Sequence, residues 1–184
     1  MTYPSWSYFP RNTRPPEWAV QLVGAVEVAR EEIDSGPLHV ETSEKRTSDA
    51  VLAKLRPQME NLGYLVESGK GASQKITRPV LFGDDGRPEV SYEIDAFHDG
   101  LGIAVEVEAG RGAKGNADYR DIVRTSLLLD ARFFVLMTPI VYRFKSSGKA
   151  MEVPAYSNTR SQLSAIYASQ RLKLPFEGVL LVGY

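Results

Sequence analysis

The sequence predicts an α/β (α+β) fold: a central mixed β-sheet flanked by helices. Two stretches of helical apolar spacing open the chain, and four short β-rich stretches with turn signals follow. Helix and strand patterns then alternate to give the order ααββββαβαβ. A length of 184 residues suits one domain, in which folding buries roughly 70% of the accessible surface. No internal repeat or long linker divides it, so residues 1–184 are read as a single domain.

Residues 1–16 carry Pro4, Pro10, Pro15 and Pro16 among Trp6, Tyr8 and Phe9, and read as an irregular arm. From Glu17 to Ile33, Trp18, Leu22, Ala25, Val26 and Ala29 recur at helical spacing until Gly36-Pro37 stops the pattern. Ser48 can cap a second helix to about Asn61, with Val51, Leu52, Leu55 and Met59 on its buried face. Strands are expected over Tyr64–Val66, Thr77–Phe82, Val90–Phe97 and Gly102–Glu108. Asn116–Asp130 returns to helical spacing through Tyr119, Ile122, Val123 and Leu127. A buried strand over Phe133–Thr138, a helix over about Thr159–Leu172 and a strand over Gly178–Gly183 complete the pattern.

Composition narrows the chemistry. The absence of cysteine excludes a disulfide framework, a cysteine nucleophile and the usual structural zinc sites, and His39 and His98 are too few for an imidazole-built zinc enzyme. Apolar runs fall short of the ~20 residues of a membrane span, and the first 14 residues lack a signal-peptide core, so a soluble, cytoplasmic protein is expected. The net charge of −1 argues against a general polyanion binder and requires any nucleic-acid partner to meet a local basic patch.

The informative stretch is Ser91–Gly110. Asp99-Gly100 is a preferred dipeptide of a two-residue hairpin turn, which would pair His98 with Leu101, Asp95 with Ala104, Glu93 with Glu106 and Ser91 with Glu108. One face then holds Tyr92, Ile94, Ala96, Ile103, Val105 and Val107. The other carries Glu93, Asp95, Glu106 and Glu108. Like charges set opposite one another destabilise a strand pair, so this face calls for a compensating hard cation with oxygen ligands.

Ile94-Asp95, ten intervening residues and Glu106-Val107-Glu108, feeding through Ala109-Gly110-Arg111-Gly112 into a helix, resemble the PD-(D/E)xK nuclease superfamily with its restriction endonuclease-like fold. The resemblance covers residues 48–140 in topology. Ile94 stands where a proline often precedes the aspartate. Glu108 stands at the lysine position, a Glu-x-Glu variant similar to the BamHI and BglII branch, and Asn116–Ile122 resembles the helix that follows the active-site strand there.

The resemblance implies Mg²⁺- or Mn²⁺-dependent hydrolysis of DNA phosphodiester bonds. Asp95 and Glu106, with Glu93 beside them, would hold the metal, and Glu108 would orient or deprotonate water or bind a second metal. Asp49 and Glu60 are the candidates for an upstream acid. Arg111, Lys114, Arg120 and Arg124 are candidate phosphate ligands, Lys114 also as a stand-in for the missing lysine. A homodimer is the natural arrangement for cutting both strands.

Other features have ordinary explanations. Gly110–Gly115 lacks the spacing of a phosphate loop. Arg11 and Arg14 beside three aromatics suit either nucleic acid or packing of the arm on its own domain or on a partner subunit, Lys70, Lys75 and Arg78 suit a solvated sheet edge, and His98 belongs to a turn. The alternative to a nuclease is a catalytically inactive nucleic-acid-binding or assembly module on the same fold. A glycosidase is disfavoured because no aromatics adjoin the acidic face.

Overall fold

A computed structural model describes residues 3–35, 47–109, 117–147 and 149–184. Six strands form a mixed sheet in the order β1-β10-β7-β6-β5-β2: β1 (Ser5–Phe9), β10 (Gly178–Gly183), β7 (Phe133–Thr138), β6 (Ile103–Val107), β5 (Ala96–His98) and β2 (Leu65–Val66). β10, β7 and β6 run parallel, and the outer pairings are antiparallel.

The parallel strands are nearly continuous apolar runs because both of their faces are covered. On one face lie α1 (Glu17–Val28), the short α2 (Arg30–Ile33) and α3 (Ser48–Asn61). Trp18, Leu22, Val26, Ile33, Leu55 and Met59 pack there with Val105, Val107, Val135, Met137, Leu180 and Val182. On the other face, Leu163 and Ile166 of α5 (Ala155–Ala168) and Ile122 of α4 (Ala117–Thr125) meet Phe134, Leu136, Val179 and Leu181. α3 is capped by Thr47, whose side chain accepts the Ala50 N–H, rather than by Ser48.

The expected irregular arm at 1–16 contains an edge strand. β1 pairs antiparallel with β10 in a five-residue register from Ser5↔Gly183 to Phe9↔Val179. Pro4 and Pro10 lie just outside it, at the ends of the ladder, where a residue without an N–H is tolerated. Two ribbons stand outside the sheet: β3 (Ile76–Phe82) with β4 (Pro88–Ile94), and β8 (Tyr142–Ser146) with β9 (Lys149–Val153). The second of these had no counterpart in the sequence pattern. No helix among the described residues is long and apolar enough to cross a membrane.

The hairpin register differs from the expected one by two residues. His98 pairs with Ile103, Phe97 with Ala104 and Ala96 with Val105, so the loop is Asp99–Gly102. The chain turns at Gly102, whose φ of +65° favours glycine and whose carbonyl accepts the N–H groups of Arg132 and Phe133. A Cβ there would lie 2.7 Å from the Asp130 carbonyl oxygen. A shift of two preserves the alternation of faces and brings Asp95 level with Glu106.

At Asp95 the expected long strand breaks. β4 leaves the sheet to pair with β3, so Glu93 lies opposite Thr77 instead of Glu106. Ile94 and Tyr92 accordingly join Phe97, Ala104 and Leu128 rather than the cluster of Ala96, Ile103, Val105 and Val107.

Candidate active site

The site lies where the β5–β6 hairpin faces α4. The bend at Asp95 lets its Oδ2 accept the Val107 N–H at 2.7 Å, and its carboxyl shares a hydrogen bond with that of Glu106. Burial raises the Asp95 pKa to about 6 against the bond from Val107, which lowers it. Glu106 is pushed well above the ordinary glutamate range, first by burial and then by the charge of Asp95. Two carboxyls so close retain a proton between them.

A second pair lies beside the first. Glu108 follows β6 with its N–H on the Met137 carbonyl (2.8 Å) and its own carbonyl accepting the Tyr184 hydroxyl (2.7 Å). Its side chain meets Asp121 of α4, and Arg120 bridges the two through Nη2 to Glu108 Oε1 (3.0 Å) and Nε to Asp121 Oδ1 (2.9 Å). One guanidinium against two carboxylates leaves an excess of negative charge. Burial, followed by the bond to Asp121, raises the Glu108 pKa to about 8.

The helix that supplies Asp121 is turned against its composition. α4 buries Asp118, Asp121, Ile122 and Thr125, while Tyr119, Val123 and Leu127 are 43%, 59% and 49% exposed. Asp118 is tied down by the Thr159 hydroxyl and is itself raised by burial. Asp118 Oδ1 and Asp121 Oδ2 have no donor among the described residues unless a neighbouring carboxyl is protonated. Buried polar oxygens without partners are costly, and here they collect at one spot.

Glu67, just after β2, lies close enough to Asp95 for its charge to raise that pKa further, and its N–H bonds the Asp95 carbonyl at 2.8 Å. Lys75 bonds Glu67 at 2.7 Å and approaches Glu93 at 3.5 Å. The bond to Glu67 leads in keeping its ammonium charged. Arg124 stacks over Tyr92, donates to the Glu93 carbonyl and eases the charge on Glu106.

Of the residues expected from sequence, Asp95, Glu106, Glu108, Arg120 and Arg124 come together. Glu93 does not, because β4 carries it onto the ribbon, where its side chain is 58% exposed. Neither upstream candidate joins the site: Asp49 is exposed and lies 3.8 Å from Lys70, and Glu60 points to solvent. The acid that lies near Asp95 from the segment after α3 is Glu67. Arg111 and Lys114 lie outside the described residues. His98 accepts the Leu101 N–H and packs edge-on to Tyr64, a structural role.

Sequence reasoning missed Glu67, Asp118 and Asp121. Asp118 and Asp121 are three apart and so share a helix face, a spacing masked by the stronger apolar period beside it.

Among the described residues no group of three acid or histidine side chains is suited to hold a metal ion. What the site offers is two adjacent pairs of carboxyl groups, Asp95 with Glu106 and Glu108 with Asp121. No protein-family model, curated protein or solved structure matches the chain.

Proposed function

We propose that this chain is a Mg²⁺- or Mn²⁺-dependent nuclease that hydrolyses DNA phosphodiester bonds, related to the PD-(D/E)xK superfamily. The observation that carries the reading is the concentration of Asp95, Glu106, Glu108 and Asp121 in a largely buried site, with Arg120 and Arg124 against them among the described residues. Such a cluster is unfavourable without protons or a cation. Its persistence is characteristic of a site that works on charge.

Paired carboxylates suit Mg²⁺, which typically keeps several waters and takes one or two carboxylates together with substrate phosphate oxygens. Asp95 and Glu106 would hold it. When bound, it polarises the scissile phosphate and lowers the pKa of a coordinated water. Glu108, with a pKa of about 8, keeps its proton near neutral pH in the free site; once a bound cation has displaced that proton, its carboxylate is a stronger base than an ordinary glutamate and would take the proton of the attacking water. Arg120 holds Glu108 directly through Nη2 and is itself held by Asp121 through Nε. Arg124 has its guanidinium beside the pair and would steady the phosphate oxygens, with Arg111 and Lys114 as further phosphate ligands. DNA is the proposed substrate, cut at both strands by a homodimer.

The second reading, an inactive nucleic-acid-binding or assembly module, is favoured by one observation. Glu108 stands at the lysine position, and the nearby Lys75 is engaged by Glu67 and Glu93.

Supercoiled and linear DNA incubated with Mg²⁺ separates the two readings. Wild type should nick and linearise, with Glu106→Ala slower by roughly 10²-fold or more. Equal nicking by both proteins would point to a contaminant. Calorimetry with Mn²⁺ should show binding that Asp95→Ala abolishes, and no heat in wild type would remove the metal site.

A further inference from the structure

We propose that Arg11 and Arg160, with the paired hydroxyls of Ser7 and Tyr156, hold a backbone phosphate of bound DNA. The choice of DNA as ligand rests on the nuclease reading; the anion site rests on its own geometry. Arg11 follows β1, and its Nη2 donates to Ser7 Oγ at 3.3 Å. Ser7 Oγ in turn lies 2.9 Å from the Tyr156 hydroxyl. Tyr156 stands in the first turn of α5, and Arg160 follows it by four residues on the same helix face. Both guanidinium charges reach the Tyr156 phenol: burial raises its pKa, and the Ser7 bond and then the charges of Arg160 and Arg11 oppose that rise.

The donors at this spot lack an acceptor. Arg30, Arg78, Arg120 and Arg132 are each neutralised by a carboxylate, but neither Arg11 nor Arg160 has one among the described residues. Neither residues 5–16 nor α5 contains an Asp or Glu that could supply it. The hydroxyl pair is also short of one partner. Whichever of Ser7 and Tyr156 donates to the other, one of the two O–H hydrogens finds no acceptor among the described residues. Two cations brought to one place repel, and a phosphate would relieve them while accepting the arginine forks and the spare hydroxyl.

The donors are held in position. The Tyr156 ring is 4% exposed and lies flat on β10, where a Cβ at Gly183 would come within 2.7 Å of its Cδ2. Arg11 and Arg160 are exposed, so the spot is open to a polymer crossing the surface and does not enclose a free ion. Its position links it to the carboxylates. Thr159, next to Arg160, bonds Asp118 of α4, which also supplies Asp121 to Glu108. A strand cut at the carboxylates and continuing over α4 and α5 would bring another of its phosphates to the arginines.

Fluorescence anisotropy of a labelled DNA duplex with the full chain, in Ca²⁺ and over a series of salt concentrations, tests the proposal. Arg11→Gln/Arg160→Gln should weaken binding at least about tenfold at low salt and make the dependence of log K on log salt shallower by about 1. Arg11→Lys/Arg160→Lys keeps both charges and should keep most of the slope. Arg87→Gln, an exposed arginine of the β3–β4 ribbon paired with Asp85, should leave binding unchanged. Circular dichroism should show the wild-type fold in each variant. The proposal is overturned if wild type does not bind the duplex, if the double glutamine variant keeps the wild-type slope, or if Arg87→Gln loses as much. Calorimetric binding of inorganic phosphate alongside an unchanged slope for DNA would assign the spot to a free phosphate and overturn it too. Cleavage in Mg²⁺ is read separately: an unchanged slope with intact cleavage removes this phosphate contact alone, and a shallower slope without cleavage removes the nuclease reading alone.

Discussion

α3 and α4 pack on opposite faces of the same sheet and obey opposite rules. α3 buries Val51, Leu52, Leu55 and Met59 and leaves Asp49, Lys54, Glu60 and Asn61 exposed. α4 buries two aspartates and a threonine beside a single large apolar residue, Ile122, and exposes Tyr119 and Val123. The first arrangement follows from the hydrophobic effect alone. The second opposes it, and the opposing requirement lies at the hairpin, where Asp121 meets Glu108 and Asp118 meets Thr159. α3 therefore holds the fold, and α4 equips the site at a cost in stability.

The largest expected effect lies on the stabilising side of that contrast. Leu55→Ala, at a fully buried position of α3, should cost about 2–5 kcal/mol, or roughly 5–20 °C in melting temperature, measured by calorimetry.

The next effect is a dependence on pH. Asp95 and Glu108 have folded-state pKa values of about 6 and about 8, above their ordinary 3.8 and 4.5. The native state therefore binds more protons than the unfolded state, and the stability this contributes is complete below the ordinary values. It is lost as pH rises through about 6 and then about 8. Without divalent cations the melting temperature should fall by several degrees across this window, and Glu108→Gln should remove the upper part of the decline. Added Mg²⁺ should restore more stability at pH 8 than at pH 5.5, because at low pH protons already occupy the oxygens.

A smaller effect tests α4 directly. Asp121→Asn should leave the melting temperature at pH 8 unchanged or raise it, by an amount equivalent to about 1 kcal/mol, while weakening stabilisation by Mg²⁺ less than Asp95→Asn does. Marked destabilisation would show that Asp121 serves packing. The smallest is Val123→Ser on the exposed stripe, which should change stability by no more than about 0.5 kcal/mol in a monomer.

Parts of the fold were legible because local pattern and tertiary environment agreed. α3, β7 and β10 begin and end where periodicity puts them, since each is bounded by turn residues and buried as its spacing requires. The α4 period was legible as a helix and misleading about its face. Of the expected ridge of Tyr119, Ile122, Val123 and Leu127, Ile122 is buried and the other three are exposed, because Asp118 and Asp121 share the inward face.

Other features required distant partners. Ser5–Phe9 has no decisive pattern of its own and becomes a strand because β10 offers an open edge. The break at Asp95 follows from β3, whose pairing with β4 draws Glu93 away from Glu106. Glu67 enters the site only because its N–H ties the segment after β2 to the Asp95 carbonyl.

The sequence by itself determined the mixed α/β class, the alternation that puts Asp95, Glu106 and Glu108 on one face, and the absence of cysteine from any site. Alternation and composition are properties of consecutive residues, and a two-residue error in register leaves them intact. Only the tertiary structure decided that Asp95 stands level with Glu106, that Glu93 leaves and that Asp121 and Glu67 enter. Those outcomes depend on where the chain turns at Gly102 and on which long-range hydrogen bonds win, and neither is encoded in a local period.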